Sequence, residues 1–154
     1  MVVMKTEVLL VFSTKCENLR YVITCIVNQD SINLVDTIVD TGAMHTCYKA
    51  ELINEDLTEN SLSVANTHFI GGFVDGANID RAVKFYEYTV SQFTIGTVNL
   101  GEQKIWVTFD DRISDNVLGM DLLRKVAFLQ LEHDDRLYFF KDRLELAKSI
   151  ETLI

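Results

Sequence analysis

The chain has 154 residues, a length that suits one domain with one sizeable core. Apolar residues make up 48% and charged residues 24%, a globular composition that excludes a disordered chain. The net charge of −9 argues against phosphate binding, so nucleic acid is not an expected partner.

The first apolar run of strand length covers residues 6–12. Its longest apolar stretch, Val8–Phe12, is preceded by Lys5 and Glu7 and is too short for a signal peptide or a membrane span, so no membrane partner is expected. Cys16, Cys25 and Cys47 are odd in number and lack metal-type spacing, and they read as reduced thiols of a cytoplasmic protein. Arg20–Asn28 and Ile32–Val39 are two further strands, joined by the turn Gln29-Asp30-Ser31. Residues 48–55 read as two helical turns. Residues 82–95 form one long strand rich in aromatics (Phe85, Tyr86, Tyr88, Phe93), broken by residues 96–101 and followed by a strand over 104–109. Residues 121–126 suit a short helix with Asp121 near its N-terminus, where a carboxylate is favourable. Ala127–Leu131 and Arg136–Phe140 flank His133-Asp134-Asp135, a hairpin turn. Asp142 and Glu145 resemble a capping box and open a terminal helix over 142–153. Leu146, Ile150 and Leu153 share one face, with Ala147 and Ile154 alongside, which suits packing on the sheet more than a dimer-forming role. Proline, linkers and repeats are absent from the sequence. The sum is mostly β with two or three short helices, in a closed or sandwiched arrangement.

One stretch stands out against this background. Val-Asp-Thr occurs twice, at residues 35–37 and 39–41, but only the second copy continues into Gly42-Ala43. Asp36 stays within its strand, whereas Asp40 leaves at a loop that Gly42 permits to be tight. As a bare tripeptide, Asp-Thr-Gly also suits an ordinary turn at a strand end.

The context resembles retropepsin-like aspartic proteases. The run Thr37-Ile38-Val39-Asp40-Thr41-Gly42-Ala43 is similar to their active-site loop. Phe69-Ile70-Gly71-Gly72-Phe73-Val74-Asp75-Gly76 resembles the flap that closes over substrate. Phe93-Thr94-Ile95-Gly96 and Lys104-Ile105-Trp106-Val107 resemble the strand pair that follows the flap. Val117-Leu118-Gly119 is similar to the second signature, an apolar pair and glycine behind the active-site loop. These marks occur in the family's order and cover residues 20 to 140, and the chain resembles single-lobe cellular and bacterial members more than viral ones. Two departures stand beside them. Met120 replaces the arginine that helps many viral members hold their dimer, and a helix stands where the viral chain ends in a strand.

The resemblance implies a closed, barrel-like β lobe with a flap hairpin, spanning residues 1–154 as one domain. It implies an aspartic endopeptidase without cofactor or metal, acting on peptide or protein substrates. Asp40 would be the catalytic carboxylate. Thr41 would brace the loop across a dimer, Gly42 would allow close approach, and Ala43 would line the site. Ala43 lacks the hydroxyl some relatives carry, which implies a working pH nearer neutral. Phe69 to Phe73 would form the flap, with its tip at Ile70-Gly71-Gly72. Leu118 and Ile113 are candidate pocket walls as well as candidate core residues.

The chemistry needs two carboxylates in one site, and one Asp-Thr-Gly supplies one. Asp36 lies about 13 Å away along the strand. The expected active form is therefore a two-fold homodimer in which Asp40 meets its symmetry mate. The same fold could also persist as a non-catalytic dimerisation or peptide-binding module. Other chemistries find little support. His45, His68 and His133 are scattered, Cys47 has no evident base, and Asp110, Asp111 and Asp115 read as a solvated loop.

Overall fold

In β2 (Arg20–Asn28), Ile23, Cys25 and Val27 turn inward while Val22 and Thr24 face out. β3 (Ile32–Val39) continues the pattern, with Val35 and Thr37 buried and Leu34 and Asp36 exposed. This two-residue period is what a half-buried antiparallel pair requires. The two strands align without slippage from Tyr21 opposite Val39 to Asn28 opposite Ile32. A one-residue shift would expose the whole inner row, so the buried face fixes the register. The computed structural model describes residues 12–17, 20–28, 32–62, 67–70, 83–131 and 136–153.

The remaining elements follow in chain order. β1 (Phe12–Glu17) precedes β2. After β3 come β4 (Cys47–Lys49), the one-turn helix α1 (Ala50–Ile53) and a 3-10 turn at Glu59–Ser61. Then follow β5 (Thr67–Ile70), β6 (Val83–Val90), β7 (Gln92–Ile95), β8 (Val98–Asn99) and β9 (Gln103–Thr108). β10 (Val117–Leu118) leads into the one-turn helix α2 (Met120–Leu123). The hairpin strands β11 (Ala127–Leu131) and β12 (Arg136–Phe140) precede the terminal helix α3 (Arg143–Leu153).

Hydrogen-bonded neighbours run β11-β12-β1-β2-β3-β10-β4-β9-β6-β5, with β7 joined to β2 and β8. The mostly-β expectation holds. The closed barrel takes the form of an open path among the described residues, since β11 and β5 end it unpaired with each other. β2 serves two partners along one edge: β1 beside Arg20 and Tyr21, β7 beside Cys25 to Asn28.

Of the strand expected over 6–12, only Phe12 lies among the described residues, at the start of β1. Three other expected elements differ in extent, one being the helix over 121–126, which spans Met120–Leu123. The run over 82–95 is two strands, because the chain changes partner at Ser91. β6 lies between β5 and β9, whereas β7 crosses to β2. Ser91 donates its hydroxyl to the Asn28 carbonyl at 2.8 Å and secures the crossing. The helix expected over 48–55 shrinks to Ala50–Ile53, because Cys47–Lys49 is drawn into parallel pairing with Trp106 to Thr108 of β9.

The main core gathers Tyr48, Phe93, Ile95, Ile105, Leu118, Leu122, Leu123 and Phe139. Each such side chain contributes roughly 1.5–3 kcal/mol on burial. Cys47, Val83, Phe85 and Ile113 form a second cluster under Trp106. Leu118 and Ile113 are thus both buried, at 0% and 4% exposure, and pack into these clusters. α3 lies against β11 and β12, as expected for a helix covering the sheet. Its start is capped by Asp142, whose carboxylate accepts the Glu145 N–H at 2.9 Å.

Candidate active site

β10 is inserted between β3 and β4, which are consecutive in sequence. Val117 and Leu118 run parallel to Ile38 and Val39, and Val117 also pairs antiparallel with Cys47. The chain must therefore cross from β3 to β4 over the end of β10, and residues 40–46 make that crossing. The end of β3 bonds to β10 and to the residue before it: Ile38 N–H donates to Asn116 O at 2.8 Å, and Asp40 N–H, just past the strand, donates to Leu118 O at 3.1 Å. The loop after β3 and the Val117-Leu118-Gly119 segment, singled out separately in the sequence, are thus brought together.

Asp40 is exposed at the head of this loop. Its carboxylate accepts the Gly42 N–H at 2.9 Å, and its carbonyl accepts the Ala43 N–H at 3.2 Å. A Cβ on Gly42 would stand 3.2 Å from that carboxylate oxygen, a tight contact. Thr41 is exposed and Ala43 half-buried. Asp36 has a different environment. It sits opposite Thr24 on the outer face of the β2–β3 pair and accepts the Thr24 hydroxyl at 3.0 Å.

The far side of the loop is tied to α2. Met120 N–H donates to Ala43 O at 2.8 Å and Asp121 N–H to Met44 O at 3.3 Å. A helix start leaves its first N–H groups without intrahelical partners, and here the loop carbonyls take them. Gly119 is buried, and its N–H donates to the Thr46 hydroxyl oxygen at 3.0 Å. Asp121 reaches back to Thr46, accepting its N–H at 3.0 Å and its hydroxyl at 2.5 Å. At the other end of β10, Asn116 accepts the Lys49 N–H at 3.0 Å and donates to Asp36 O at 3.4 Å.

Thr46 and Asn116 carry no warning in the sequence, and Asp121 reads there only as a favourable charge at a helix start. Their common signal is polar character flanking the short apolar pair Val117-Leu118. Beneath the loop, Thr37 donates to the Val35 carbonyl at 3.0 Å, so the 2.7 Å contact with Tyr48 has the tyrosine hydroxyl as donor. This buried bond ties β3 to β4 below the crossing.

Of the expected flap, Phe69 and Ile70 lie in β5, opposite Lys84 and Val83 of β6. Gly71, Gly72 and Phe73 lie outside the described residues, as does His133. His45 is half-buried, its ring edge-on to Trp106 with centroids 5.7 Å apart. Cys47 is buried, and burial, aided by the charge of Asp121, pushes its thiol up to about 12, which makes it a poor nucleophile. Asp110 is engaged by Arg112 at 2.6 Å, and the guanidinium holds its carboxyl below the usual range. Asp115 pairs with Arg20 at 3.2 Å. Among the described residues, no group of His, Cys, Asp and Glu could hold a metal ion. No helix among them is long and apolar enough to cross a membrane.

No family model matches the sequence, and no curated protein matches it significantly. Solved structures do. The chain is similar to a retropepsin-like aspartic protease from Rickettsia conorii at 20% identity and a TM-score of 0.54, over 83% of this chain and 88% of that one. It is also similar to EIAV protease complexed with an inhibitor, at 21% identity and a TM-score of 0.50, over 71% of this chain and 91% of that one. The loop that carries Asp40, braced by β10 and α2, therefore stands on a retropepsin-like fold.

Proposed function

We propose that the chain is an aspartic endopeptidase, active as a homodimer in which Asp40 and the partner's Asp40 share one site. What carries the reading is the position of Asp40: exposed, at the head of a loop bonded to β10 and α2, on a fold shared with aspartic proteases. Two carboxylates at sharing distance cannot both be ionised, so one holds a proton while its mate acts as base. The ionised member takes a proton from water, and the protonated member donates to the scissile carbonyl oxygen. The water oxygen attacks the carbonyl carbon, and a proton then passes to the departing amine. No covalent enzyme intermediate forms, and the protons belong to the pair.

In this reading Gly42 orients the carboxylate through its N–H, Thr41 braces the two loops across the axis, and Ala43 lines the cleft. Residues 69–73 close over the peptide as the flap. The whole of 1–154 acts as one unit, with α3 covering the hairpin of β11 and β12.

The test is cleavage of a diverse peptide library between pH 3 and 8 by the wild type and by Asp40→Asn. Sedimentation with and without a transition-state-analogue inhibitor runs beside it. Cleavage by the wild type alone, with inhibitor-promoted dimers, is expected. A protein that binds peptides but never cuts them, with Asp40→Asn binding equally well, would make the domain a peptide-binding module. A strict monomer under both conditions removes the shared site.

A further inference from the structure

We infer that Thr46 and Asp121 are a positioning pair that fixes the Asp40 loop from behind; the catalytic part of this inference rests on the peptidase reading above. The two residues stand 75 positions apart in sequence. Thr46 is fully buried and Asp121 half-buried. The Asp121 carboxylate accepts three hydrogen bonds: the Thr46 N–H, the Thr46 hydroxyl and the Leu122 N–H at 2.8 Å. The same Thr46 oxygen accepts the Gly119 N–H. Thr46 therefore uses its hydroxyl as donor and acceptor at once, in a bond of the short, charge-assisted kind.

The pair stands where the loop would otherwise be loose. Asp40 is held at its own N–H by Leu118, and Ala43 is held by Met120. Between them Thr41 and Gly42 are exposed, and Gly42 supplies the N–H that orients the Asp40 carboxylate. The direction of that N–H depends on where Ala43 and the residues after it are anchored, and the anchor is the start of α2. Asp121 and Thr46 lock the anchor, because they join the loop's last residue to the helix by side chains as well as backbone. A misplacement of about 1 Å at a reacting group can cost about a hundredfold in rate, so such an anchor bears on turnover more than on substrate affinity.

The chemistry predicts which substitutions matter. Serine at 46 keeps both hydrogen-bonding roles, and valine keeps the shape but neither role. Asparagine at 121 has a single acceptor oxygen for two Thr46 donors. The experiment compares wild type, Thr46→Val, Thr46→Ser, Asp121→Asn and the double variant Thr46→Val/Asp121→Asn in the full chain. Amide hydrogen exchange is followed at Ala43 and Met120, with Leu100 as a remote reference bonded to Phe93 O.

Thr46→Val and Asp121→Asn should speed exchange at Ala43 and Met120 about tenfold or more, leaving Leu100 unchanged and Thr46→Ser close to wild type. Peptide cleavage should show kcat lowered roughly 10- to 100-fold with KM nearly constant, and the double variant no worse than the more impaired single one. Unchanged exchange at the loop overturns the inference whatever the activity. A uniform rise that includes Leu100, or unfolded Thr46→Val and Asp121→Asn proteins, also overturns it by making the pair a general stability element. If the wild type cuts no peptide while loop exchange responds as expected, the anchoring stands and the peptidase reading fails.

Discussion

Gly119 has an extended backbone, φ −97° and ψ −179°, so glycine is not needed there for conformational freedom. It is needed for space. A Cβ would lie 2.5 Å from the His45 carbonyl oxygen, 2.6 Å from its carbon and 2.9 Å from its nitrogen. Ordinary carbon–oxygen contacts begin near 3.3 Å, so Gly119→Ala must force the two chain segments apart by about 0.8 Å. The three nearest atoms are all backbone, and Met44 and Thr46 on either side of His45 are both bonded to Asp121. Overpacking of this kind costs about 1–3 kcal/mol, and rigid neighbours place it at the top of that range. The lost Gly119-to-Thr46 hydrogen bond adds about 1 kcal/mol. At about 2–4 °C per kcal/mol for a chain of this size, the total of about 4 kcal/mol should lower the melting temperature by about 8–16 °C. Differential scanning calorimetry on both proteins is the assay. A Gly119→Ala melting point within about 2 °C of wild type would show that the crossing yields cheaply, and the close-approach reasoning would be refuted.

Four further outcomes follow from the same geometry. Asp40→Asn should change stability by less than about 0.5 kcal/mol in urea unfolding, since the residue is exposed, yet abolish peptide cleavage; a large stability change would mean the carboxylate is structural. Tyr48→Phe should cost about 0.5–1.5 kcal/mol, because Thr37 loses one partner but keeps the Val35 carbonyl; a neutral result in the same assay would deny the bond any weight. Gly101→Ala meets open space, but at φ 72° it should cost about 1 kcal/mol from backbone strain, read as a shift in urea midpoint; no shift would count against that conformation. Burial pushes the Cys47 thiol from its ordinary 9.0 up to about 12, so above pH 9 the unfolded chain loses this proton while the folded one keeps it. Stability is then full below pH 9 and falls as pH rises toward 12, more steeply in wild type than in Cys47→Ala; equal slopes would remove the burial effect.

Strands whose inner and outer faces differ were legible from residue pattern. Arg20–Asn28, Ile32–Val39, Ala127–Leu131 and Arg136–Phe140 have the bounds that the alternation implies. The break at Ser91 was not legible, because periodicity records which face is buried and not which neighbour does the burying. β10 is two residues long, too short to show any period, and only the family resemblance gave Val117-Leu118 a place beside Asp40. The brace of Thr46, Asn116 and Asp121 was invisible for a related reason. Across the loop its members are 67 to 80 positions from the groups they hold, and no local spacing encodes such a meeting.

The insertion of β10 also bears on how the molecule assembles. During synthesis, β2 and β3 can pair early because their residues are close in the chain, but the slot beside Ile38 and Val39 stays vacant until Val117 and Leu118 emerge. Contacts of such long range form late, since the intervening chain must be ordered before they repay its entropy. A nascent polypeptide therefore carries its acidic loop unsupported until Val117 and Leu118 of β10 have been made and α2 has followed. Topology thus couples the ordering of the Asp40 loop to the arrival of a strand encoded far downstream of it.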